Sequence, residues 1–243
     1  MFIKNKLALL ESVEAMLSQE QRMNQIANNL ANVDTSGYKR ESNTFWEVLI
    51  TQGDKPQRVG KGVQVVTDAS QGRLEPTGNP LDLALAGEGY FRIQTPNGIR
   101  YTRDGNFQLN QQGQLSTASG ALVMGEGGSI VVSGSNVTIA EDGRVRVDGV
   151  LVDRIGVARF ADLDMLKKEG MNLYRMSDEG AVEVAADNVT IQQGYLEGSN
   201  VNTVSEMTDM MALYRDYESQ QRAIRIADDL DDQAVRKVGR LMA

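Results

Sequence analysis

The sequence contains no cysteine and no histidine. Without cysteine there are no disulfides, no thiolate nucleophile and no cysteine zinc site. Without histidine the commonest general base is missing, and with it any Ser-His-Asp or Cys-His arrangement. Long apolar runs are also missing, since no stretch approaches the roughly 18 residues of a membrane-spanning helix, which excludes membrane insertion through helices. Near the start, Lys4 and Lys6 precede Leu7 to Leu10, but Glu11 closes that run, too short for a secretory signal. Positive charge is in deficit, with 25 Lys and Arg against 33 Asp and Glu and a net charge of −8. That balance argues against nucleic acid as a partner, because phosphate binding is driven by clustered cations. On these absences the chain reads as cytoplasmic, although export by another route would be invisible to the same test.

Glycine and proline are missing from particular places. None of the 24 glycines precedes Gly37, only Gly239 follows Gly198, and all four prolines, Pro56, Pro76, Pro80 and Pro96, lie in the middle. Both residues disrupt helix interiors, so two breaker-free ends around a glycine-punctuated centre predict two long helices flanking a β-rich body.

Each end carries matching apolar spacing. Leu9, Val13, Met16, Met23, Ala27 and Leu30 follow steps of three and four interrupted only by Glu20, with Ile3, Leu10 and Leu17 in a second row. At the other end Met207, Met210, Tyr214, Tyr217, Ile224, Val235 and Val238 keep the same alternation, with Gln221, Asp228 and Asp231 filling the gaps. These are amphipathic stripes on helices of roughly 30 and 40 residues, about 45 and 60 Å long at 1.5 Å per residue. An ordinary helical core is the bland explanation, but helices at opposite termini can build only a small core together. A coiled pair completed by neighbouring subunits is the better reading.

From about Thr35 to Tyr195 short strands alternate with turn residues. Tyr90 to Gln94, Asn97-Gly98 and Ile99 to Thr102 read as a hairpin, and Asp-Gly pairs recur at 104–105, 142–143 and 148–149. Val145 and Val147, Val150 and Val152, and Ile155 to Phe160 read as strands of an antiparallel meander, and Asp162 to Lys168 as a helical turn or two. The expected fold is α+β with a mainly β centre: long N- and C-terminal helices paired as a coiled-coil domain, and a central antiparallel β-rich domain. The expected domains are 1–34 with 199–243, and 35–198.

Motifs for chemistry fail one by one. Gly87-Glu88-Gly89 lacks the third glycine of a dinucleotide fingerprint because Arg92 stands there, and Gly60-Lys61-Gly62 is no phosphate loop. The aspartates between Asp142 and Gly149 suit hairpin turns and do not match a calcium loop. No cofactor, metal or catalytic residue is assigned. A carboxylate pair for glycan hydrolysis is the enzymatic alternative, and a regulatory binding module engaging a chaperone or export component is another.

One block is more specific. Ala27 to Lys39 reads ANNLANVDTSGYK, with Asn28, Asn29 and Asn32 near a helix end and turn residues before Gly37. Buried amides need partners, so the asparagines are candidates for fixing register, and Gly37 for a hinge between the domains. This block resembles the N-terminal signature of the flagellar axial proteins, the rod and hook subunits of the bacterial basal body. The stretches 78–91 (GNPLDLALAGEGYF), 101–107 (YTRDGNF) and 193–202 (QGYLEGSNVN), followed by Glu206-Met207 and Arg215-Asp216-Tyr217-Glu218, resemble that family's later blocks in the same order.

The resemblance implies a structural subunit that polymerises through its terminal helices. It also implies export through the flagellar type III apparatus without a cleaved signal, and a place in the periplasm-spanning rod beside other rod subunits. Its assembly residues would be Leu9, Met16, Met23, Asn28, Asn29, Leu30, Asn32, Met207, Met210, Tyr214, Tyr217 and Ile224. Only Ile50 to Gly62 separates Leu49 from Val63, and Ala212 to Glu218 reads ALYRDYE. Both features favour a proximal rod subunit, with a distal rod subunit as the alternative.

Overall fold

The structure is a computed structural model. It describes residues 2–52, 55–160, 165–170, 172–177, 183–185 and 189–241, with side chains described in 12–46, 62–160, 165–170, 172–177, 189–230 and at 233. The chain divides into two compact units. The first comprises Met1–Ala31, Glu41–Val66 and Asn202–Ala243, and the second Asn32–Arg40 and Thr67–Val201.

The first unit holds α1 (Phe2–Ala31), β1 (Glu41–Gln52), β2 (Lys55–Thr67) and α2 (Thr203–Leu241). Helix α2 starts at an asparagine cap: Asn202 Oδ1 accepts from the Ser205 N–H at 3.1 Å, and its carbonyl accepts from the Glu206 N–H at 3.0 Å. Strands β1 and β2 pair as a two-stranded sheet. The β1 strand is held to α1 by Asn43 Nδ2, which donates to the Gln21 carbonyl at 3.0 Å, and by Arg22, 5.3 Å over the Phe45 ring. Gly62 faces the Trp46 indole so closely that an added Cβ would enter the ring.

The second unit holds the remaining strands: β3 (Leu74–Pro76), β4 (Leu83–Ala86), β5 (Tyr90–Thr95), β6 (Gly98–Thr102), β7 (Phe107–Leu109), β8 (Leu115–Thr117), β9 (Leu122–Val123), β10 (Val137–Ile139), β11 (Arg144–Val147), β12 (Val150–Arg154), β13 (Val157–Phe160), β14 (Leu166–Gly170), β15 (Leu173–Met176), β16 (Glu183–Ala185), β17 (Thr190–Gln193) and β18 (Tyr195–Glu197). The largest sheet runs β14-β15-β6-β5-β9-β8-β7, with β13 bridging β5 and β16. The β5–β6 hairpin pairs Phe91 with Thr102 and Thr95 with Gly98, and Gly98 takes the positive φ of 104° that the turn needs. Alternation sends Leu83, Leu85, Phe91, Ile93, Val145 and Val147 into one apolar core. Tyr90, Tyr101, Phe160 and Tyr174 form a second cluster, with Tyr101 and Phe160 edge to face at 4.8 Å.

Two expectations are corrected. The fold is not α+β with a coiled-coil helix pair: the described residues form eighteen strands and two helices, a mainly β chain. The helices do not close a coiled-coil seam, because a seam buries its apolar row. Val204, Met207, Met211 and Tyr214 on α2 remain 75, 47, 55 and 63% exposed, and Val13 and Leu17 on α1 remain 42 and 54% exposed. The helical turn at 162–168 is also corrected. Residues 162–164 lie outside the described residues, and Leu166–Gly170 is strand β14, paired with β15 from Leu166 opposite Met176.

Candidate functional site

Two buried polar clusters stand out, one in each unit. In the first unit Asn29, 1% exposed, sits in the last turns of α1. Its Nδ2 donates to the Glu41 carbonyl at 2.8 Å and to Glu206 Oε2 at 3.3 Å, while its Oδ1 accepts from the Glu41 N–H at 3.0 Å. Gln25 Nε2 donates to Glu41 Oε2 at 3.1 Å. One amide therefore joins α1, the start of β1 and the first turn of α2. A buried amide with both ends engaged fixes position, since any slip strands a polar group without water.

In the second unit three charges meet out of solvent. Lys39 follows the turn after α1, Arg103 follows β6, and Glu197 ends β18. Glu197 Oε1 accepts from Lys39 Nζ at 2.6 Å and from the Gly72 N–H at 2.9 Å, and Oε2 accepts from Arg103 at 3.1 Å. Lys39 also donates to the Ser70 carbonyl at 2.7 Å, and Arg103 to the Gly87 carbonyl at 2.7 Å. The Arg103 guanidinium lies 5.3 Å over the Tyr90 ring. Burial pushes the Lys39 ammonium below its ordinary value, and the attraction of Glu197 opposes that fall. Two cations on one carboxylate, with backbone groups taking the remaining bonds, define geometry more than they add stability.

Gly37 belongs to the same neighbourhood. It is buried with φ of 67°, its N–H donates to the Glu197 carbonyl at 2.7 Å, and an added Cβ would fall 2.7 Å from the Arg103 carbonyl oxygen and closer still to Arg103 C and Asp104 N. The position thus needs both a left-handed backbone and the absence of a side chain.

The other assembly candidates are dispersed. Met16, Met23, Leu30, Asn32, Met210, Tyr217 and Ile224 are half-buried, while Asn28, Met207 and Tyr214 are exposed; the Leu9 side chain lies outside the described residues. Asn32 Oδ1 accepts from Thr35 Oγ1 at 3.3 Å in the turn after α1. Of the three asparagines, Asn29 is the one that is fully buried. Sequence reasoning did not single out Lys39, Arg103, Glu197, Glu41 or Glu206 as site residues, because charged residues are mostly surface residues. Among the described residues no acidic group is arranged to hold a metal ion, and no helix is long and apolar enough to cross a membrane.

Residues 9–39 match the model for the flagella basal body rod protein, residues 84–147 that for the flagellar hook protein FlgE/F/G D1 domain, and residues 192–237 that for the flagellar basal body rod FlgEFG protein C-terminal region. Lys39, Arg103 and Glu197 each fall in a different one of these segments. The chain is 34% identical over 242 residues to the flagellar basal-body rod protein FlgF of Caulobacter vibrioides, covering 96% of this chain and 98% of that one. It is 35% identical to FlgF of Salmonella typhimurium over 90% of this chain and 94% of that one. It is also 32% identical to the rod protein FlgG of Bacillus subtilis over 92% and 96%.

Proposed function

The chain belongs to the flagellar basal-body rod protein family, and from that premise we propose that it is a structural subunit of the rod, in its proximal part. Similarity to both FlgF and FlgG leaves the choice to local features. The short connection from Ile50 to Gly62 and the Ala212–Glu218 stretch favour the proximal kind over the distal one. As a structural subunit it works by contact, with other rod subunits as its partners and no catalytic step of its own. Export through the flagellar type III apparatus would deliver it to the periplasm-spanning rod, and nucleic acid is not among its partners.

The observation that carries this reading is the uncovered apolar row of α2. Val204, Met207, Met211 and Tyr214 recur at steps of three and four, so they share one helix face, and all four are exposed. A face of this kind, rimmed by polar residues, marks a contact surface. Together with the half-buried Met210, Tyr217 and Ile224 on α2, and Met16, Met23, Leu30 and the exposed Asn28 on α1, it forms the proposed assembly surface. Contacts between unlike surfaces of successive copies build open helical arrays when the rotation does not close.

Tyr214→Asp tests this reading. The side chain is 63% exposed, so the variant should keep its monomer stability to within about 0.5 kcal/mol, the usual range for a surface change. It should nevertheless fail to enter basal bodies when labelled copies are imaged. Normal incorporation and swimming at matched expression would remove α2 from the assembly surface.

A further inference from the structure

The α2 face that the assembly reading uses is built partly of sulfur. Met207 and Met211 lie four residues apart, hence side by side on the helix, and are 47 and 55% exposed. Val204 and Tyr214 bracket them, and Thr208 and Asp209 beside them are exposed, so water and small solutes reach both thioethers.

We propose that Met207 and Met211 are an oxidation-sensitive pair, whose conversion to sulfoxides by hydrogen peroxide blocks addition of the free subunit; this rests on the assembly reading of α2. The thioether sulfur attacks one peroxide oxygen with its lone pair, the O–O bond breaks, and the second oxygen leaves as water after taking the proton. Sulfur is oxidised by two electrons and peroxide is reduced by two.

The product is a polar, chiral group where an apolar, flexible one had been. In the free subunit the new oxygen faces water, so helix and fold are unaffected. In a contact that offers no donor, it loses its hydrogen bonds and weakens association about tenfold per group, the scale of one polar atom buried without a partner. Once the contact has formed, the same sulfurs are covered and peroxide no longer reaches them. The sensitivity therefore belongs to the interval before assembly.

The test uses the purified full-length chain, wild type and the Met207→Leu/Met211→Leu double variant, each with and without dilute hydrogen peroxide. Leucine keeps the volume and apolarity of methionine while removing the sulfur. Peptide mass spectrometry locates added oxygen, circular dichroism checks the fold, and sedimentation velocity reads self-association. Met165, 38% exposed on the second unit, is the internal control. Oxidised wild type should stay folded and lose association by about a hundredfold, tenfold for each sulfoxide; the double variant, at a peroxide dose that leaves the half-buried Met16, Met23 and Met210 unoxidised by mass, should associate equally with and without peroxide, and methionine sulfoxide reductase should restore the wild type.

Unchanged association of wild type carrying both sulfoxides would overturn the proposal and leave the assembly reading intact. So would equal loss in the double variant, or oxidation of Met165 without oxidation of the pair. Failure of untreated, folded wild type to associate would remove the assembly reading and the proposal with it.

Discussion

Replacing Glu197 with Gln keeps the side-chain shape, so a loss of stability would measure the lost charge and the acceptor turned donor, and not packing. The carboxylate receives Lys39 at 2.6 Å, Arg103 at 3.1 Å and the Gly72 N–H at 2.9 Å. The Lys39 and Arg103 side chains are 1 and 4% exposed, so neither reaches water when its counter-charge is removed. At an effective dielectric constant near 20, a pair about 4 Å apart gains about 4 kcal/mol before desolvation, and breaking a buried pair by deleting one partner costs about 3–5 kcal/mol net. Typical domains have only about 5–15 kcal/mol in total, so the second unit should sit close to its unfolding threshold.

Lysine gives this loss a pH signature. The folded Lys39 pKa is already below its ordinary 10.5, so the unfolded chain binds more protons between the two values, and stability rises with pH across that window. Glu197→Gln widens the window downward, so its destabilisation should shrink as pH climbs towards 10.5. Urea unfolding should be followed by near-ultraviolet circular dichroism of Tyr90, Tyr101 and Tyr174, which lie in the second unit, because the single tryptophan, Trp46, lies in the first. A loss below about 1 kcal/mol at neutral pH, the size of a solvated surface pair, would refute the reasoning. A loss unchanged with rising pH would refute the assignment to Lys39.

Two further substitutions probe the same unit. Burial raises the Asp104 carboxyl above its ordinary 3.8, so its contribution to stability is fully present below 3.8 and is lost as pH rises through the folded value. Asp104→Asn, which can still accept the Asn106 N–H, should raise the thermal midpoint at neutral pH and leave it unchanged below that window; equal midpoints throughout would show the carboxyl to be solvated. Gly37→Ala should cost at least about 2 kcal/mol, from left-handed strain and overpacking together. Gly37→Asn should be no better, since the same Cβ meets Arg103 and Asp104 whatever lies beyond it; recovery in the Asn variant during urea unfolding would reduce the problem to backbone φ alone.

Sequence legibility followed locality. The β5–β6 hairpin was readable because Asn97-Gly98 lies between two alternating runs, and each part of that signal is a few residues long. Breaker-free termini marked where α1 and α2 run, because helix interiors exclude glycine and proline over any length. Periodicity shows which residues share a helix face, but not whether anything covers that face. The coiled-coil pair was inferred from the stripes of both terminal helices, and exposed Val13 on α1 with Met207 and Tyr214 on α2 show where that step failed. Strand β12 makes the same point, since alternating Val150 and Val152 marked a strand but not its cover, and Val150, Leu151 and Val152 are 68, 56 and 44% exposed.

The buried charges were hidden for a different reason. Lys39 and Glu197 are 158 positions apart, and Arg103 and Glu197 are 94 apart. Nothing local distinguishes a lysine that will be sealed in a fold from one on its surface, and the surface is the safer assumption for any single lysine. The resemblance narrowed the field without resolving it, because Lys39, Arg103 and Glu197 all stood inside the quoted blocks but looked like punctuation around the glycines. Structure reverses that emphasis. Gly37 leaves the space through which the Arg103 backbone passes, and Gly72 supplies an N–H to Glu197 from the irregular segment before β3. A family signature made of glycines and charges is what a buried ionic cluster requires, since each ion needs several backbone partners at hydrogen-bond distance and side chains would keep those backbones apart.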